Sequence, residues 1–123
     1  MKKSILLLIV SFSFNLAHSQ IKEIKMFQST LHIYGTNGQQ TGNYILQNND
    51  EKFLGHNSQY FVIKKLNILM VYNNKGFEIN NKPISLANGN EFVKITEKSI
   101  WIRNNNTIYY YDFNGSMLYN YRE

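Results

Sequence analysis

The chain contains no cysteine and a single proline, Pro83, and beyond its first twenty residues it has no long apolar run. Each absence excludes something. Without cysteine there is no disulfide framework and no lipid-bearing cysteine of the bacterial lipoprotein kind, so the fold is held by packing alone. Without a later apolar run of about 20 residues there is no integral membrane segment once the leader is removed. Charge is sparse as well, at 17% of residues, and Lys64-Lys65 is the only adjacent basic pair of the mature chain. Scattered charge of this kind describes a solvated surface and excludes a nucleic-acid footprint.

The first residues carry what the remainder lacks. Lys2 and Lys3 precede an unbroken apolar stretch, Ile5 to Val10, extended by Phe12, Phe14 and Leu16. Ala17-His18-Ser19 then supplies small residues at the two positions a signal peptidase reads. This is the three-part plan of a secretory leader. Residues 1–19 are expected to be a signal peptide cut before Gln20, and residues 20–123 a single domain. The expected location is secreted or periplasmic. The chain has 13 basic and 8 acidic residues, a net charge of +5, which falls to about +3 when Lys2 and Lys3 leave with the leader.

Composition assigns the fold class. Nine tyrosines and eight phenylalanines accompany many isoleucines and valines, while asparagine crowds the gaps. β-Branched and aromatic residues suit a pleated surface, and asparagine suits turns because it tolerates left-handed backbone. Turn signals recur at Asn37-Gly38, Asn48-Asn49-Asp50, Asn73 to Gly76, Asn80-Asn81, Asn88-Gly89, Asn104 to Asn106 and Asn114-Gly115. Short apolar runs lie between them. The expected fold is all-β, an antiparallel meander of short strands forming a small two-layer sheet or a partly open barrel. The best helical candidate is Ile21 to Phe27. Ile68-Leu69-Met70-Val71-Tyr72 is apolar on both faces, which predicts a strand between two packed layers.

The chain echoes itself at two periods. Phe61-Val62, Leu69-Met70-Val71 and Asn73-Asn74 align with Phe92-Val93, Ile100-Trp101-Ile102 and Asn104-Asn105 at an offset of 31. Tyr34 with Asn37-Gly38, Tyr72 with Gly76, and Tyr111 with Asn114-Gly115 recur every 38 or 39 residues. The two periods disagree. The segment from Ser99 through Ile108-Tyr109-Tyr110-Tyr111-Asp112-Phe113-Asn114-Gly115 to Leu118 resembles a strand-turn-strand unit of β-propellers and of tyrosine-aspartate (YD) repeat proteins, through Tyr111-Asp112-x-x-Gly115. The resemblance covers about a fifth of the chain and carries over no functional residue. A closed propeller needs at least four blades of about 40 residues, which the chain is too short to supply.

Register sorts the C-terminal side chains. Asn114-Gly115 predicts a two-residue hairpin turn, pairing Tyr111 with Leu118 and Tyr109 with Asn120. A three-residue loop, Asn104 to Asn106, pairs Ile102 with Ile108 and Trp101 with Tyr109. A four-residue loop, Thr96 to Ser99, pairs Ile95 with Ile100 and Lys94 with Trp101. One face then carries Val93, Ile95, Ile100, Ile102, Ile108, Tyr110, Met117, Tyr119 and Tyr121 as core. The other carries Phe92, Lys94, Trp101, Arg103, Tyr109, Tyr111, Phe113 and Leu118. On that second face Trp101, Arg103, Tyr109, Tyr111 and Lys94 form the candidate binding site, a flat aromatic platform with cationic and phenolic groups at its edge. Such a surface suits a glycan or a protein partner.

Chemistry is hard to assemble from what remains. His32 and His56 are the only histidines after the leader, and no metal-binding spacing surrounds them. Asn48-Asn49-Asp50-Glu51 has the wrong ligand spacing for a calcium loop and reads as a turn. His56, Ser58 and Asp50 have nothing to orient them as a catalytic relay. Asp112 is expected to bond turn backbone, and His32 to face water from a strand. No catalytic residue, metal or cofactor is assigned. The expected function is an exported, non-enzymatic binding or envelope-interaction module. The alternatives are a structural subunit or oligomer assembling through sheet edges, and an extracellular enzyme or inhibitor.

Overall fold

A computed structural model describes residues 20–47 and 49–123. The expected signal peptide lies outside the described residues. The chain is all-β and antiparallel, and among the described residues there is no helix. Among the described residues eleven strands form three separate sheets, none closed into a barrel. The first sheet holds β1 (Ile21–Phe27), β2 (Thr30–Gly35) and β3 (Gln40–Ile45). The second holds β4 (Glu51–His56), β5 (Tyr60–Lys65), β6 (Ile68–Asn73) and β7 (Ile84–Ser85). The third holds β8 (Glu91–Ile95), β9 (Ile100–Asn104), β10 (Thr107–Tyr111) and β11 (Met117–Arg122). Within each sheet the strands follow chain order.

The helical candidate Ile21–Phe27 is strand β1. Its alternation is the reason: Ile24 faces the core, while Glu23 and Lys25 share the opposite face and pair across the strands with Tyr34 and His32; a register shift between Ile21 and Glu23 brings Ile21 to the core side as well. A helix would scatter these residues around a cylinder.

The three sheets stack in chain order. Ile21, Leu31 and Ile33 of the first sheet pack on Phe61, Ile63, Met70 and Tyr72 of the second. Val62, Leu69, Val71 and Ile84, on the other face of the second sheet, pack on Ile100 and Ile102 of the third. The second sheet is therefore covered on both sides, and β6 runs between two layers as its two-sided apolar pattern requires. Tyr44 pins the first sheet to the second. Its hydroxyl donates to Glu51 Oε1 at 2.7 Å and meets the Tyr72 hydroxyl at 3.2 Å. Burial, then these two partners, push the Tyr44 pKa far above its ordinary value. Lys65 joins this cluster, 3.7 Å from Glu51 Oε2. Burial disfavours its ammonium, but the Tyr72 hydroxyl and the Glu51 charge outweigh that and hold its pKa above the ordinary value.

The backbone repeats at the 38–39 residue period, whereas the offset of 31 aligns non-equivalent turns. Gln28, Leu66 and Asn105 all have positive φ, 57°, 54° and 53°, and each opens a two-residue turn between paired strands. Gly38, Gly76 and Gly115 have φ of 83°, 89° and 92°. Each donates its N–H to the carbonyl three residues back, on Gly35, Asn73 and Asp112, at 3.0, 3.0 and 3.2 Å. This is a type I turn closed by a left-handed residue, where glycine carries no steric penalty. At the start of the second and third units, Asn57 Oδ1 and Thr96 Oγ1 play the same part, each accepting the N–H groups two and three residues on. The stacking contact repeats too. A side chain at Gly76 would strike the Asn43 backbone, and one at Gly115 the Lys82 backbone, 33 residues earlier in both cases.

Candidate interaction face

The third sheet carries the predicted site residues, and its register decides where they point. Three of its turns matter. The Thr96–Ser99 loop behaves as expected: Lys94 pairs with Trp101 and Ile95 with Ile100. The next two turns differ.

The β9–β10 turn is two residues long, because Asn105 takes the left-handed conformation and lets the chain reverse a residue early. Asn104 stays in its strand, its amide donating to Asn88 O and Asn90 Oδ1 at 3.1 and 2.7 Å. Trp101 therefore pairs with Tyr110, Ile102 with Tyr109, and Arg103 with Ile108. The β10–β11 turn is three residues long, with Gly115 as its left-handed closer, so Tyr111 pairs with Met117 and not Leu118. A register shift at Tyr110/Tyr111 absorbs the difference, and Tyr109 still pairs with Asn120. Asp112 bonds turn backbone as expected, accepting from Asn114 and Ser116 at 3.0 and 2.9 Å.

A shift of one residue moves every β10 side chain to the other face. Tyr109 and Tyr111, proposed for the aromatic face, lie with Phe92 and Phe113 against the core between the second and third sheets. Burial raises the Tyr111 phenol's pKa, helped by nearby Tyr109. Tyr110, Tyr119 and Tyr121, assigned to the core, lie on the outer face instead. Val93 sits at the irregularity in β8 and Met117 is exposed, so neither is core. Ile108 is buried but belongs to the outer face, not beside Ile100 and Ile102. Arg103 on β9 reaches Glu123 beyond β11, Nε to Oε1 3.1 Å, and crosses β10 at Ile108, which accounts for that burial.

The outer face is thus two rows, each running across four strands. One is Lys94, Trp101, Tyr110 and Tyr119; the other is Glu91, Arg103, Ile108 and Tyr121. In the first row each member touches the next. The Lys94 ammonium lies 3.9 Å from the Trp101 ring centre. Trp101 meets Tyr110 edge-on at 5.0 Å, and Tyr110 stacks on Tyr119 at 4.4 Å. The Trp101 Nε1 donates to Ser99 Oγ at 3.0 Å, fixing the indole. Tyr110 and Tyr119 thus cover one face of each other, and Trp101 and Tyr110 meet edge to face. The signal that could have found this row is the uninterrupted Tyr109-Tyr110-Tyr111, which places a ring on the outer face whichever register holds.

The opposite end of the stack is built differently. On the first sheet's outer face stand Glu23, Lys25, His32 and Tyr34. Glu23 and Lys25 approach to 3.7 Å and Lys25 lies over Tyr34 at 5.4 Å. His32 Nδ1 meets the Gln40 amide at 3.3 Å.

His56 Nδ1 contacts Asn57 O, while Ser58 donates its N–H and hydroxyl to Glu97. Among the described residues no group of three histidine or acidic side chains is placed to hold a metal ion. A crevice of about 240 Å³ between the second and third sheets is lined by Lys52, Leu54, Lys64, Leu86, Asn90, Glu91 and Phe92.

Comparison with protein-family models, with curated proteins and with solved structures yields no match.

Proposed function

We propose that this chain is an exported, non-enzymatic interaction module that docks the outer face of its third sheet onto a β-sheet of a protein partner. One observation carries the reading. At the repeat offset of 39, Val62, Leu69 and Val71, which the third sheet buries completely, correspond to Trp101, Ile108 and Tyr110. The outer face of the third sheet is the same stacking surface, still large and apolar, with no further sheet over it among the described residues. At the other end three of the corresponding positions have turned polar, with Phe27 and Ile45 exposed only in the last row of that face. Phe61, Ile63 and Met70 become Glu23, Lys25 and His32. Stacked repeats end in a polar outer face where the stack stops, so the first sheet is built as a terminus and the third as a junction.

The packed ring row favours a protein over a sugar. Stacking a sugar needs a broad exposed ring face, and here Lys94 and the neighbouring rings occupy faces of Trp101 and Tyr110. Aromatic and arginine side chains interdigitate with a facing sheet at about 10 Å. The resemblance to propeller and YD-repeat units points the same way, since such units stack face to face. Export rests on the leader read in residues 1–19.

The test places a photo-crosslinking residue at position 119, or at position 34 on the polar end, in the exported chain of the producing cells. Protein adducts from position 119 and none from position 34 are expected. Adducts from position 34 alone, or from neither, would overturn the proposal.

A further inference from the structure

The two rows of the outer face are complementary to each other, and from this we infer that the partner sheet is supplied by a second copy of the chain, stacked face to face about a two-fold axis. The inference rests on the docking reading above and specifies its partner. A two-fold axis in the interface, running across the strands between the rows, lays the first row of one copy over the second row of the other. Lys94 then faces Glu91, Trp101 faces Arg103, Tyr110 faces the Arg103 that covers Ile108, and Tyr119 faces Tyr121, each made twice. No like charges oppose. The exposed contacts are an ion pair, a guanidinium beside an indole and a phenol, and two exposed rings. Arg103 is already held by Glu123, at 3.1 and 3.4 Å from its Nε and an Nη, so its planar group is oriented before docking. The operator keeps the strands of the two sheets roughly aligned, as face-to-face sheets pack.

Size sets the strength. Four strands about 4.8 Å apart, each showing about five residues, give a face whose mutual cover buries on the order of 1,000 Å² in total. That is the low end for a specific interface, so the dimer is weak and concentration-dependent.

Sedimentation velocity on the full exported chain, from about 1 to 500 µM, should show monomer passing to dimer. Lys94→Glu and Glu91→Lys should each weaken association at least tenfold, because each sets like charges in opposition. The double variant should restore it, since the pair is re-formed with its signs exchanged. Circular dichroism checks that each variant folds, and Glu91→Lys leaves the Lys94–Trp101 contact intact if Lys94→Glu does not fold. A chain that stays monomeric throughout, or a dimer indifferent to these reversals, would overturn the inference. If the chain is monomeric while position 119 still crosslinks to a different protein, only the identity of the partner falls. If position 119 gives no adduct, the docking reading falls with it.

Discussion

The Lys94 ammonium lies 3.9 Å from the ring centre of Trp101, directly across two paired strands. The pair starts a row of contacts that continues through Tyr110 to Tyr119 and crosses the whole third sheet. Exposed cation–ring pairs contribute about 0.5–1 kcal/mol. Lys94→Met should therefore cost no more than about 1 kcal/mol in urea unfolding, while Trp101 emission shifts as its ring loses its cover.

Core and face should separate cleanly by mutation. Ile102 is fully buried between the second and third sheets, so Ile102→Ala should cost roughly 2–5 kcal/mol, a large share of the ~5–15 kcal/mol a small domain has. Trp101→Ala, one residue away on the opposite face, should cost less in folding and more in association. Ile108→Ala should fall between them, and Arg103→Ala should mimic part of its effect by uncovering the same side chain. Denaturant unfolding of the four variants checks this order.

The repeated turns predict a second order. Gly38, Gly76 and Gly115 share a left-handed backbone, but only the last two lie against a neighbouring sheet. Gly38→Ala should cost about 1 kcal/mol for conformation alone. Gly76→Ala and Gly115→Ala add a collision with the Asn43 or Lys82 backbone and should cost clearly more. Equal losses at all three glycines, by thermal melting, would contradict the stacking contact.

Alkaline pH should unfold the domain through its buried phenols. Tyr44 and Tyr111 are both raised above the ordinary value of 10.0 by burial first of all. In the unfolded chain they ionise near 10, while in the fold they stay neutral, so the stability they contribute is complete below pH about 10 and declines above it. Tyr111→Phe should lessen that decline. A pH titration followed by circular dichroism measures it.

Much of this was legible in the sequence, and the failures have particular causes. Turn residues and two-sided apolar runs announce an antiparallel meander, and β6 sits between layers as its pattern demands. Lys94 over Trp101 follows from a loop whose length was read correctly. The face of each candidate residue was read correctly for Lys94, Trp101 and Arg103 and not for Tyr109 and Tyr111, because Asn104-Asn105-Asn106 does not say which asparagine turns left-handed. Asn105 does, Asn104 remains paired, and Tyr109 and Tyr111 exchange faces with Tyr110. The Asn114-Gly115 pair suggested the tighter of two turns that both use a left-handed glycine. The polar terminus on the first sheet was hidden for another reason: it appears only when Glu23, Lys25 and His32 are set against their equivalents in a sheet covered on both sides.

Trp101 is the chain's only tryptophan, so 5-fluorotryptophan labelling gives a single fluorine resonance placed in the proposed docking face. Its chemical shift and linewidth can be compared between dilute purified protein and the fraction of the producing cells that holds the protein. A displaced, broader resonance is expected in the native setting, reverting on dilution and in Tyr110→Ser. A resonance unchanged between the two settings would contradict the claim that this face is covered when the protein works.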